Sequence, residues 1–99
     1  MKRLMLVFAL LFSVAFAQSV SFTLRNNTLT SIPLVIPSVM NPNLTPMGNS
    51  GVDLEVGQEV FFVYQRKKYL LLKVTPDLKG QTLMVGDLIR DRKKELGLN

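Results

Sequence analysis

Residues 18–25 alternate strictly: Val20, Phe22 and Leu24 are apolar, and Ser19, Ser21 and Thr23 lie between them. A period of two sends one set of side chains to one face, so the segment reads as a strand with one buried side. Residues 52–56 repeat the pattern, with Val52, Leu54 and Val56 directed inward and Asp53 and Glu55 outward. That period, in a chain punctuated by Asn, Pro and Gly, commits most of it to sheet.

The other segments fill in the architecture. Asn26-Asn27 is a turn signal, because Asn tolerates positive φ. Residues 32–36 are apolar except for Pro33, which lacks a ladder donor and predicts a short or edge strand. Gly57-Gln58 suits a tight hairpin turn between residues 52–56 and 60–64. Residues 60–64 and 69–74 form a second hairpin, with Gln65-Arg66-Lys67-Lys68 as its charged tip. Neither of its strands alternates, which predicts cover on both faces. Residues 82–85 make a last short strand. Asp87 is a candidate N-cap for a helix over residues 88–96, with Lys93 and Lys94 in its last turn and Gly97 beyond it. Leu88, Ile89 and Leu96 share a face, so the helix is expected to dock on the sheet as the hairpin's second cover. The predicted fold is mainly β: a small antiparallel β-sandwich or open barrel of about six short strands with a short C-terminal helix.

Residues 1–17 stand apart. Met1-Lys2-Arg3 is basic, residues 4–16 are apolar except for Ser13, and Ala15-Phe16-Ala17 is a small-x-small cleavage signature. This is the layout of a secretory signal peptide, its helix too short to span a bilayer. Cleavage after Ala17 places the protein in the periplasm or outside the cell and leaves residues 18–99 as one β-rich domain with no stable membrane span. Loss of Lys2 and Arg3 takes the basic residues from twelve to ten against seven acidic ones, a net charge of +3 in place of +5. So small an excess argues against nucleic acid as a partner.

Histidine and cysteine are both absent. That removes Ser-His-Asp and Cys-His catalysis, conventional zinc and haem ligation, and disulfides. Asp53 and Glu55 share one strand face and admit glycoside hydrolysis only if they line a cleft; the solvent face of a strand is the plainer reading. No cofactor, no metal and no catalytic residue is expected. The longest irregular segment, residues 38–51, is the leading binding candidate. Its Asn41, Asn43, Thr45, Asn49 and Ser50 offer amides and hydroxyls to a protein or glycan partner, and Met40, Leu44 and Met47 either join them or pin the loop. Arg66, Lys67 and Lys68 form a candidate basic patch, and Arg90, Arg92, Lys93 and Lys94 a second cluster interrupted by Asp91 and Glu95. Tyr64 and Tyr69 flank the first patch but read as core.

Ile32-Pro33-Leu34-Val35-Ile36-Pro37, Val39-Met40-Asn41-Pro42-Asn43-Leu44 and Gly51-Val52-Asp53-Leu54-Glu55-Val56-Gly57-Gln58, with the hairpin and the Arg92-Lys93-Lys94-Glu95-Leu96 end, resemble small exported proteins of Bacteroidota-type bacteria. The resemblance implies a periplasmic or surface location and carries no established activity. An exported, non-enzymatic β-domain that binds a protein or glycan is therefore the expected function, ahead of a structural subunit of an envelope assembly.

Overall fold

The computed structural model describes residues 18–98; the signal-peptide reading of residues 1–17 lies outside them. Seven strands form two sheets. β4 (Asn49–Glu55), β1 (Ser19–Arg25) and β7 (Thr82–Met84) make the first, in that order. β3 (Asn43–Leu44), β2 (Ile32–Val35), β5 (Glu59–Tyr64) and β6 (Lys67–Lys73) make the second. The fold is mainly β, in two sheets that do not close into a barrel, with a C-terminal helix, as expected; every pairing is antiparallel except β1 with β7, which is parallel. A 3₁₀ turn (Pro76–Leu78) leads into β7, and one helix, α1 (Val85–Leu96), ends the fold.

The core is one cluster fed by both sheets. Val20, Phe22, Leu24, Val52 and Leu54 come from the first, and Leu34, Leu44, Val60, Phe62 and Leu71 from the second. Strict alternation in β1 and β4 has the predicted consequence, except that Val56 falls just beyond β4 and is exposed. Burial of these side chains is the main force holding sheets of this size together.

The turn at Gly57 is not the predicted hairpin. Gln58 N–H donates to Glu55 O at 3.1 Å, and Gly57 sits third in that turn with φ of 93°, the position where a type II turn requires positive φ. The strands on either side then separate, β4 to the first sheet and β5 to the second. The β5–β6 hairpin does form, but its tip is only Gln65-Arg66, with φ of 50° and 67° as in a type I′ turn. Lys67 and Lys68 belong to β6. Its lack of alternation also has a local cause. Val60 pairs with Leu72 and Phe61 with Leu70, so Leu71 is an extra bulged residue and is buried.

Pro33 lies in a strand that is short, at four residues, as expected, and inner instead of at an edge. Successive N–H groups of a strand point to opposite sides. Leu34 N–H donates to Pro42 O at 2.8 Å, on the β3 side, which directs the proline nitrogen toward β5. The β2–β5 register begins at Leu34, one residue later, so no donor is missed.

Helix α1 begins three residues before the prediction, and its capping group comes from elsewhere in the chain. Asn27 Oδ1 accepts from Gly86 N–H at 3.1 Å while Asn27 Nδ2 donates to Asp87 Oδ1 at 3.2 Å. Gly97, at φ of 73°, closes the helix as expected, its N–H donating to Lys94 O at 3.2 Å. Leu88 and Ile89 pack on the core, whereas Leu96 is exposed. The helix touches β1, β6 and β7, and Arg92 Nε donates to Leu70 O at 2.7 Å on the free edge of β6. It therefore bridges the two sheets instead of covering the outer face of the hairpin. On that face Val35, Phe61 and Leu70 form one cross-strand row, half-buried, with Val63 exposed beside it. Among the described residues no helix is long and apolar enough to cross a membrane.

The cap makes Gly86 a sign test. Alanine in a helix interior usually stabilises by about 1 kcal/mol over glycine. Here an added Cβ would meet Asn27 Oδ1 at 2.5 Å and Thr28 Cγ2 at 2.6 Å. Gly86→Ala is therefore expected to lower the thermal midpoint. A raised midpoint in a calorimetric scan would show that the Asn27 cap yields freely.

Candidate binding groove

A surface concavity of about 700 Å³ runs between α1 and the β1–β2 connection. Three kinds of wall meet there. Thr28, Thr30 and Ser31 supply hydroxyls on one side; Ile32, Pro33, Val63, Ile89 and Leu98 supply apolar surface; Arg90, Lys93 and Lys94 supply cations on the helix side.

The hydroxyl wall is held by Asn26, the one fully buried polar side chain among the described residues. Asn26 Nδ2 donates to Thr30 O at 2.7 Å and to Leu44 O at 3.0 Å. Its Oδ1 accepts from Thr28 N–H at 2.9 Å and from Thr28 Oγ1 at 2.7 Å. All its amide groups are used, as burial demands. Asn26 and Asn27 thus shape the connection through side-chain hydrogen bonds, and neither adopts the positive φ that would explain Asn in a turn.

The cationic wall has a definite charge pattern. Arg90 lies 3.4 Å from Asp87 and 3.7 Å from Asp91, and Arg92 lies 3.5 Å from Glu95. The helix's three carboxylates are thereby engaged by arginines, and Lys93 and Lys94 make no ion pair among the described residues. Lys93 Nζ stands 4.0 Å from the centroid of the half-buried Tyr64 ring, an attraction that fixes its ammonium without neutralising it.

The expected binding segment, residues 38–51, is more ordered than an irregular loop. Ile36 and Met40 form a bridge around a turn in which Ser38 has φ of 66°. Asn41 is exposed ahead of β3, and Asn43 lies in β3 opposite Pro33. Thr45 O accepts from Gly48 N–H at 2.9 Å in the next turn. Asn49 and the half-buried Ser50 already belong to β4, and Asn49 Oδ1 accepts from Arg25 Nη1 at 2.9 Å. Asn43 thus lies in the second sheet and Asn49 and Ser50 in the first, with Asn41 and Thr45 in the connections between strands. Leu44 is core, while Met40 and Met47 are exposed.

Arg66, Lys67 and Lys68 are exposed around the hairpin tip, with Lys68 Nζ 5.9 Å from the Phe61 ring. Tyr64 and Tyr69 are half-buried against the core. Asp53 and Glu55 are exposed on β4; Asp53 accepts from Ser21 Oγ at 3.3 Å and borders a depression of about 420 Å³ that Glu55 does not line. The groove itself had one local sign in the sequence. Asp87–Arg90 and Arg92–Glu95 are spaced i,i+3, which pairs them on a helix and leaves Lys93 and Lys94 over.

No protein-family model, curated protein or solved structure matches this chain.

Proposed function

We propose that this chain is an exported, non-enzymatic β-domain that binds a protein or glycan partner in the groove beside α1. One observation carries the reading: an apolar floor, a row of hydroxyls and two lysines without carboxylate partners converge on one concavity. Concave apolar surface with a few placed polar groups is the usual form of a recognition site. A structural subunit of an envelope assembly is the second reading, favoured by the half-exposed row of Val35, Phe61 and Leu70 on the outer face of the second sheet.

Photo-crosslinking in cell envelopes separates the two. A crosslinker at Lys94 reports on the groove, one at Val35 on the outer sheet face, and one at Glu55 serves as control. Adducts from position 94 alone are expected, on a chain that begins at Gln18. Adducts from position 35 alone would favour the assembly, and a recovered chain that retains Met1 would remove signal cleavage from the reading.

A further inference from the structure

We propose, resting on the binding-domain reading, that the occupant of the groove is an extended, acidic polypeptide segment with apolar side chains. The charge argument comes first. Among the described residues no carboxylate lines the groove, and the acids of α1 are already held by Arg90 and Arg92, so the field these residues offer to a ligand is that of Lys93 and Lys94. A positive wall meeting a negative segment gives specificity and speeds encounter.

Shape selects polypeptide. The helical wall from Gly86 to Lys94 is about 12 Å long at the usual rise per residue. That matches about four residues of extended chain. Side chains of a strand alternate, so acidic groups on one face and apolar groups on the other would reach the lysines and the Ile32–Val63–Ile89 floor together. An anionic glycan would leave that floor unfilled, and among the described residues no aromatic side chain lines the groove to stack on a sugar or a base.

Fluorescence anisotropy tests this with three labelled probes: a peptide alternating Glu with Leu and Ile, the same peptide with Lys for Glu, and oligogalacturonate. The acidic peptide is expected to bind saturably and the basic one not. Lys94 is exposed and outside the core, so Lys94→Glu is expected to lower the melting temperature only slightly, by removing a cation from the last helical turn, while weakening the acidic peptide by about tenfold. Equal binding of the two peptides, or no effect of Lys94→Glu, overturns the proposal. Oligogalacturonate binding in place of the peptide also overturns it, yet leaves the binding-domain reading standing. If no probe binds, the proposal fails, and the crosslinks from position 94 then decide whether the broader reading fails with it.

Discussion

Phe62→Ala is expected to leave much of the protein unfolded at 37 °C. Phe62 is 1% exposed and heads the fully buried side chains by volume. It stands opposite Leu34 on one side and Tyr69 on the other, its ring centroid 5.7 Å from that of Tyr69. Truncating a buried Phe to Ala costs about 3–5 kcal/mol, because the cavity collapses only partly. A domain of this size holds about 4–12 kcal/mol in all. With no cysteine in the chain, no disulfide limits the damage. Phe61→Ala is the control: Phe61 is the neighbouring residue on the outer face, half-buried and outside the core cluster. Its loss is expected to cost about 1 kcal/mol. Urea titrations followed by circular dichroism will rank the two, and equal midpoints would mean that the core does not centre on Phe62.

Where one strand's own pattern decides its structure, the fold was legible. Val20, Phe22 and Leu24 alternate with polar residues because one face of β1 meets the core and the other meets water. Alternation does not say which strand lies alongside. Residues 55–58 have good turn chemistry, but a type II turn does not carry the twist of a tight hairpin, and β4 and β5 part into different sheets. The Leu70-Leu71-Leu72 run reads as two-sided burial until the pairing register reveals a bulge. Pro33 marks a short or an edge strand, and the choice between them waits until the two sides of β2 are separated, because its missing N–H matters only toward β5.

The groove was less legible than the fold because its walls lie far apart in sequence. Thr28 and Lys93 line one groove where Asn27 receives the N-terminus of α1. Residues 38–51 drew attention by composition, since Pro, Asn and Gly mark irregular chain. Those same residues here make tight turns between β2, β3 and β4. The basic cluster at residues 90–94 was visible, and its meaning lay in which cations its own acids neutralise. That follows from helical spacing only after the helix is known to begin at Val85, which brings Asp87 into the first turn.

Asn26→Ala is the second substitution with a large expected effect, and it links the stability of the fold to the groove. Four hydrogen bonds converge on this one buried amide. Leaving a buried polar group unsatisfied costs about 1–3 kcal/mol. Leu44 O loses Asn26 Nδ2 in a buried setting, and Thr30 O and Thr28 N–H lose their Asn26 partners at part-buried sites. A total loss of about 2–4 kcal/mol is expected, large against the stability of so small a domain. Asn26→Asp separates donation from shape. It keeps the volume and the acceptor for Thr28, but sets an oxygen where Nδ2 now faces two carbonyl oxygens. If donation to Thr30 and Leu44 dominates, Asn26→Asp will destabilise at least as much as Asn26→Ala at neutral pH. If the Thr28 contacts dominate, Asn26→Asp will lie near wild type. Thr28→Val offers an independent reading, because it removes the hydroxyl that has both Asn26 Oδ1 and Thr30 O within donating distance and leaves the Asn26 amide in place. It is expected to lower stability by about 1 kcal/mol and, because Thr28 lines the groove, to weaken the acidic peptide as well. Should Asn26→Ala unfold at the wild-type urea midpoint, the amide would not hold the connection, and the hydroxyl wall would have to be maintained by β2 and α1 alone.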